Sequence, residues 1–197
     1  LLRARRPVVA LLATEFVAAL SPLTVVQIER ALELLGFCSV ETTTLGEEIV
    51  RQAYERAHNR ESTLVSLRST CPVVVDFVRK FHPGLVPALA PIVPPYVAQA
   101  RLIRELYADD VAIVYVSPCY ARKDEIRDGQ FEGAVDVAID FLELKRLIAA
   151  DAEGPSRGRA ASAPVRRPGL LKEVSLTDGF PRQTVATRHM SESAVHT

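Results

Sequence analysis

Apolar residues occur along this chain both as short continuous runs and as longer segments with helical spacing. Val8 to Leu12 and Val111 to Val116 are almost uninterrupted apolar runs, which is typical of strands buried on both faces of a parallel sheet. Shorter runs predict further strands over Ser39–Thr43, Thr63–Leu67 and Val135–Ile139. The alternation of such strands with helical segments predicts an α/β fold.

Between the strands, apolar residues recur every three or four positions, as on one face of a helix. Ser21-Pro22 has the residue types of a helix start, and both Thr44 with Glu47 and Asp140 with Glu143 have the spacing of a capping box. Helices are therefore predicted from Ser21-Pro22 to Gly36, from Thr44 to Ala57, over 72–81, from Ala98 to Leu106 and over 141–149.

The helix predicted over 72–81 has its apolar residues on one face. Val74, Phe77, Val78 and Phe81 follow helical spacing, so these four side chains are predicted to form its packed face.

A proline-rich segment near the middle of the chain divides the pattern into two halves. We predict a first α/β lobe over residues 1–90 and a second over 91–197, each with a mainly parallel sheet flanked by helices. Residues 151–168 are rich in Gly, Ser, Pro, Ala and Arg, which predicts a flexible loop there.

Composition excludes several classes of protein. The 197 residues carry 24 basic and 24 acidic side chains, so the overall charge indicates neither nucleic acid nor an anionic membrane as a partner. The uncharged run from Phe81 to Ala100 has the length of a membrane span, but its five prolines would break such a helix. Three cysteines without a secretory signal favour a cytoplasmic location, and Leu1 in place of methionine indicates a fragment of a longer protein.

Two short motifs each place one cysteine where a strand is predicted to end. They are Ser69-Thr70-Cys71-Pro72 and Ser117-Pro118-Cys119-Tyr120. Ligands of parallel α/β sheets bind at such ends, and Pro72 as first helical residue would leave Cys71 beside the positive end of the helix dipole. An isolated cysteine is more often a small buried apolar residue, and we assign that role to Cys38.

The two motifs resemble the first and second cysteine motifs of the iron-only, or [FeFe], hydrogenase large-subunit domain. Those motifs read T-S-C-C-P followed by an apolar helix, and P-C-x-x-K-x-x-E. Three further segments are similar to parts of the same domain, so that the resemblance spans nearly the whole chain; they are Leu35-Gly36-Phe37, Val135-Asp136-Val137 and Gly179-Phe180-Pro181.

The resemblance implies a [4Fe-4S] cluster, with or without the diiron subcluster that completes an H-cluster, in the cleft between the lobes. Cys71 and Cys119 would bind the cubane. Arg122 would be a hydrogen-bond donor near the cluster, and Glu125 would be its orienting salt-bridge partner. Lys123 would add positive charge nearby. Thr70 stands where the family has the cysteine that transfers protons.

The departures from the family are as informative as the matches. Besides Thr70, Arg122 replaces a lysine, and Ala53 and Tyr54 stand where catalytic members carry an acidic pair of the proton pathway. The third family motif, C-x-x-x-C, has no counterpart in the sequence. Either it follows in a longer chain, which the start at Leu1 favours, or the protein lacks it.

These substitutions resemble the sensory branch of the family. That branch implies redox or hydrogen sensing, ferredoxin-like and PAS-type modules in the same or a partner chain, and maturation proteins if a diiron unit is inserted. Two alternatives remain, a catalytic [FeFe] hydrogenase that reduces protons reversibly and a cluster-free α/β interaction domain.

Overall fold

A computed structural model of the chain describes residues 2, 6–60, 66–107, 111–127, 129 and 131–153. This part of the chain alternates strands and helices, as the hydrophobic pattern predicts. The elements are β1 (Val8–Leu12), α1 (Phe16–Ala19), α2 (Val25–Leu35), β2 (Ser39–Thr42), α3 (Thr44–Arg60), α4 (Pro72–Phe81), a 3-10 helix (Pro83–Ala88), α5 (Pro95–Tyr107), β3 (Ala112–Val116), α6 (Ala121–Arg127), β4 (Val137–Ile139) and α7 (Phe141–Glu153).

The four strands form one parallel sheet in the order β2-β1-β3-β4. Val9 of β1 lies opposite Ser39 on one side and Ile113 on the other. All residues of β1 and β3 are buried, which confirms the prediction of strands covered on both faces. The chain moves outward from β1 to β2 and then returns to the other side of β1 as β3. Open α/β sheets usually bind ligands in the crevice at such a reversal of strand order, which here lies between β1 and β3.

The sheet joins the two predicted lobes. β1 and β2 precede residue 90, whereas β3 and β4 follow it, and hydrogen bonds between β1 and β3 make the sheet continuous. The α/β class with a parallel sheet flanked by helices is confirmed. The lobe boundaries stay a prediction, and most of the predicted loop over 151–168 lies outside the described residues.

Pairs of helices cover the sheet, α2 beside α7 and α3 beside α5. The second pair approaches closely because Gly46 has no side chain. A Cβ atom on Gly46 would lie 2.2 Å from the carbonyl oxygen of Pro95, and the amide of Gly46 donates a 2.8 Å hydrogen bond to Oε1 of the buried Gln99. No helix in the described ranges has the length and apolar character needed to cross a membrane.

One predicted helix start and one predicted helix cap are wrong. Helix α2 begins after Thr24 rather than at Ser21-Pro22, because the side chains of Thr24 and Gln27 form a capping box there. Helix α3 does begin at Thr44, but the hydroxyl that donates to Glu47 belongs to Thr43, at 2.8 Å. Gly36 ends α2 with φ of 100°, a left-handed conformation that glycine adopts without strain.

The packed face of α4 also differs from the prediction. Pro72, Val75 and Val78 are its buried residues. The predicted residues Val74, Phe77 and Phe81 are respectively 44%, 52% and 67% exposed. Because α4 is apolar on several sides, periodicity could not identify which side packs.

The strand predicted over Thr63–Leu67 falls largely outside the described residues. Its last residue, Leu67, forms a single parallel bridge with Leu89 and does not join the four-stranded sheet.

Candidate functional site

Cys119, the cysteine of the second motif, lies in the turn that follows β3. This Cys119 turn, residues Ser117–Tyr120, leads directly into α6. The Ser117 hydroxyl accepts a 3.2 Å hydrogen bond from the amide of Cys119, and the carbonyl of Cys119 accepts one of 3.2 Å from the amide of Arg122. The thiol is half-buried at the carboxyl end of a central strand.

Cys71, the cysteine of the first motif, lies at the start of α4. This Cys71 turn, residues Ser69–Pro72, has Cys71 as the helix N-cap and Pro72 as the first helical residue, as the sequence predicts. The thiol of Cys71 is exposed and makes no capping hydrogen bond. It is therefore accessible beside the positive end of the helix dipole.

Hydrogen bonds from Ser69 hold the Cys71 turn in place. The amide of Ser69 donates to the Tyr54 hydroxyl at 2.9 Å. The Ser69 hydroxyl oxygen lies 2.6 Å from the carbonyl oxygen of Ala90 and 2.8 Å from that of Ile92. This turn is thus tied to α3 and to the segment that precedes α5.

Arg122 connects the two cysteine turns. Its Nη2 donates to the carbonyl oxygen of Thr70 at 2.5 Å, and its Nη1 donates to Glu125 Oε2 at 2.6 Å. The side chains of Arg122 and Glu125 are only 13% and 9% exposed. The structure therefore brings together the four predicted residues Thr70, Cys71, Arg122 and Glu125 with the turn that carries Cys119.

Two tyrosines complete this cluster. The guanidinium carbon of Arg122 lies 5.1 Å from the ring centre of Tyr96, and the Tyr96 ring stacks on Tyr115 of β3 at 4.5 Å. The Tyr96 hydroxyl donates a 2.9 Å hydrogen bond to Glu125. Burial raises the pKa of Tyr96 well above its usual range, and the charge of Glu125 adds to the rise, so the hydroxyl remains a donor.

The charge of Arg122 is retained despite its burial. Burial alone would lower the pKa of its guanidinium, but the charge and hydrogen bond of Glu125 raise it. The cluster is therefore an ion pair with its hydrogen bonds made inside the protein, a geometry that suits the planar guanidinium of arginine.

The ammonium group of Lys123 lies 4.9 Å from the ring centre of Tyr120 in the Cys119 turn, and two carboxylates balance its charge. This group binds Asp140 at 2.9 Å and Glu143 at 2.7 Å. The same two carboxylates form the predicted capping box of α7, with two reciprocal hydrogen bonds of 2.8 Å. Lys123 thus fixes α6 to the start of α7.

The remaining residues singled out from the sequence lie around the cluster or away from it. Ala53 and Tyr54 are partly buried against the core, and Tyr54 binds Ser69 as described. Cys38 lies directly before β2, and burial raises the pKa of its thiol. This environment agrees with the packing role assigned to Cys38.

A cavity of about 180 Å³ lies beside the Arg122 cluster. Its wall combines apolar side chains with a few polar ones from α4, α6 and the segment before α5. The lining includes Ser69, Val75, Arg79, Val86, Leu89, Ile92, Glu125 and Phe131.

The chemistry of the cysteines fits an iron–sulfur cluster, because such clusters are bound by thiolates. One thiol is exposed and the other half-buried, on turns that Arg122 joins. Among the described residues, no group of three or more His, Cys, Asp or Glu side chains could hold a metal ion. Of the three free cysteines, Cys71 and Cys119 are the two that lie on these turns, whereas a cubane takes four ligands.

Residues 6–165 match the family model of the iron-only hydrogenase large subunit, C-terminal domain. The chain belongs to this family. The match covers all four strands, both cysteine turns and the Arg122 cluster, and so confirms the resemblance carried by the two cysteine motifs.

Solved structures show the same fold. A variant of [FeFe]-hydrogenase HydA1 from Chlamydomonas reinhardtii is 22% identical, with a TM-score of 0.59 over 77% of this chain and 45% of the hydrogenase chain. An apo form of another variant of that enzyme gives a TM-score of 0.57, 22% identity and the same coverage. A HydA structure described as revealing stepwise H-cluster assembly is 21% identical, with a TM-score of 0.58 over 77% of this chain and 44% of its own. The chain spans less than half the length of these hydrogenases.

Ser69 and Ser117 lie in the two cysteine motifs without a role predicted for them, and the sequence did not indicate Tyr96 or Tyr115 as parts of this hydrogenase-like site. Tyr96 and Tyr115 occur in apolar segments, where an aromatic residue has the pattern of a core residue. Only the fold places Tyr96 against Glu125, 29 positions later. A serine beside a cysteine is a weak signal, because serine is common in turns of every kind.

Proposed function

We propose that this chain is part of an iron–sulfur-binding, hydrogenase-like domain in which Cys71 and Cys119 bind a [4Fe-4S] cluster. Membership of the hydrogenase family supports this proposal. The observation that supports it most directly is the hydrogen bond to the Thr70 carbonyl beside Cys71 from Arg122, a residue of the helix that follows the Cys119 turn. The other two ligands of the cubane would come from outside the described residues.

Each cysteine has surroundings that suit a thiolate ligand. The amino end of α4 favours negative charge beside Cys71, and the exposed thiol needs no rearrangement of the core. The guanidinium of Arg122, paired with Glu125, donates to the Thr70 carbonyl beside Cys71. The cluster, when bound, would supply one-electron chemistry, while these residues orient the ligands and balance their charge.

We further propose that the domain senses redox state or hydrogen and does not turn hydrogen over efficiently. Proton relays need groups with a pKa close to the working pH. Thr70 has a hydroxyl where the family has a thiol, and a threonine hydroxyl ionises far too weakly to replace it. Ala53 has no titratable group, and Tyr54 is engaged with Ser69. Ferredoxin-like and PAS-type modules, and maturation proteins for a diiron unit, belong to the same proposal as partners.

The rate of hydrogen evolution by the matured full-length protein distinguishes the sensory proposal from the catalytic alternative. We expect only trace evolution with a reduced viologen as electron donor, because removal of a relay group costs about two to four powers of ten in rate. Thr70→Cys should raise the rate, whereas Thr70→Ser, which restores no thiol, should not. Robust hydrogen evolution by the unmodified protein would reject the sensory proposal in favour of a catalytic hydrogenase.

A further inference from the structure

We propose that Arg122 is a positioning residue that fixes the Cys71 turn against the Cys119 turn before any metal is bound. The proposal rests on the proposed function in one respect, since it concerns the two cysteines assigned there as ligands. Its physical basis is the set of contacts that Arg122 makes within the chain.

Three protein groups hold the guanidinium of Arg122. One terminal nitrogen binds the carbonyl oxygen of Thr70 and the other binds Glu125. One face of the guanidinium lies over the Tyr96 ring. A side chain that is 13% exposed and held on three sides has little freedom to move. Arg122 therefore acts as a rigid link between residues 52 positions apart.

The far end of this link is anchored in the core of the sheet. Tyr96 is 1% exposed and stacks on Tyr115, a residue of the central strand β3. Through its hydroxyl, Tyr96 also fixes the carboxylate of Glu125 that orients Arg122. The position of the guanidinium is thus set by the same strand that carries the Cys119 turn.

The near end of the link is a backbone carbonyl beside Cys71. The hydrogen bonds of Ser69 secure one side of Thr70, and α4 begins at Pro72 on the other side. A displacement of the Thr70 carbonyl would move Cys71, the next residue. Loss of the Arg122 hydrogen bond should therefore loosen the Cys71 turn while leaving the sheet intact.

Arginine suits this role because its fork presents two nitrogens in one plane. One nitrogen can bind a carboxylate while the other binds a carbonyl, and the flat face can stack on an aromatic ring. The single ammonium of lysine cannot reproduce this set of contacts, so Arg122→Lys keeps the charge and removes the bridge. This substitution tests the bridge with the least change in electrostatics.

Hydrogen–deuterium exchange of the metal-free 197-residue chain tests the proposal without reference to a cluster. In Arg122→Lys we expect peptides of residues 69–75, in which the amides of Ser69 and Val75 are hydrogen-bonded, to exchange about tenfold faster, since a hydrogen bond to a charged group is lost. Peptides from β1 and β3 should keep their exchange rates. Glu125→Gln, which weakens the orientation of Arg122 but leaves the guanidinium in place, should give a smaller increase in residues 69–75.

Arg104→Lys is the matched control. Arg104 forms a similar ion pair with Asp136 at 2.8 Å, and its side chain is 16% exposed. It also donates a hydrogen bond to the carbonyl of Val111, which precedes β3. It should change exchange near Asp136 and leave residues 69–75 unaffected. Unchanged exchange of residues 69–75 in Arg122→Lys would overturn the proposal. Uniformly faster exchange, with β1 and β3 included, would also overturn it by showing a general loss of stability.

The exchange test and the proposed function can fail independently. If full-length protein binds no iron, the ligand assignment fails, but faster exchange of residues 69–75 would still establish the link. If the protein binds iron through Cys71 and Cys119 and Arg122→Lys leaves exchange unchanged, the ligand assignment stands and the positioning role is rejected.

Discussion

At the residue scale, Arg122 and Lys123 are neighbours in sequence that stabilise different parts of the molecule. Arg122 reaches back to the Cys71 turn, whereas Lys123 reaches forward to Asp140 and Glu143 at the start of α7. Adjacent helical residues point in different directions. One short helix, α6, can therefore contact both the Cys71 turn and the start of α7. Helix α6 is therefore fixed on two sides directly after Cys119.

The Lys123 contacts predict a pH dependence that can be measured. The hydrogen bond from Lys123 lowers the pKa of Asp140 to about 2 from its ordinary value near 4. A lowered folded-state pKa stabilises the protein above pH 4, and this contribution is lost as the pH falls towards 2. Asp140→Asn should therefore reduce the free energy of unfolding at pH 7 by at most about 2 kcal/mol.

Urea unfolding of both proteins between pH 7 and pH 3 checks this expectation. The difference between them should shrink below pH 4, where the wild-type protein also loses the contribution. Asp124→Asn is the control, because Asp124 is 78% exposed and lies 3.8 Å from Arg127. A difference for Asp140→Asn that stays constant with pH would contradict the assigned role of the Lys123 contact.

At the element scale, α4 has one packed face and one exposed apolar face. Val78 is 6% exposed, whereas the adjacent Phe77 is 52% exposed. Phe77→Ala should therefore cost about 0.5 kcal/mol or less in unfolding free energy, while Val78→Ala should cost about 2 kcal/mol because it leaves a cavity. Thermal or urea unfolding compares the two variants directly, and an equal cost would mean that the face assignment is wrong.

Sequence patterns predicted the positions of strands and helices better than they predicted which helix faces pack and which distant side chains meet. The continuous apolar run of β1 gave its bounds, and Pro72 marked the start of α4, because both signals are local in the chain. The packed face of α4 depends on which neighbours it meets, and the Arg122 cluster depends on Tyr96 and Thr70, which are distant in sequence. Such contacts follow from the order of the strands, which the hydrophobic pattern does not contain.

At the scale of the whole molecule, the Cys119 turn follows a central strand of the parallel sheet, whereas the Cys71 turn begins a helix outside the sheet. The fold match covers 77% of this chain but only 45% of the compared hydrogenase HydA1, and the described residues supply two candidate thiolate ligands. On the proposed function, this chain contributes half of a cubane site. We expect the 197-residue chain to bind a [4Fe-4S] cluster poorly and a native chain that includes two further cysteine ligands to bind it well.

The most direct test of the central claim is iron and acid-labile sulfide analysis of that longer native protein after anaerobic reconstitution. We predict about four irons and four sulfides per chain for such a cubane site, with most of this loading lost in both Cys71→Ser and Cys119→Ser. Cys38→Ser, which alters a cysteine outside the proposed site, should retain it. Full loading in a protein that lacks both Cys71 and Cys119 would contradict the account.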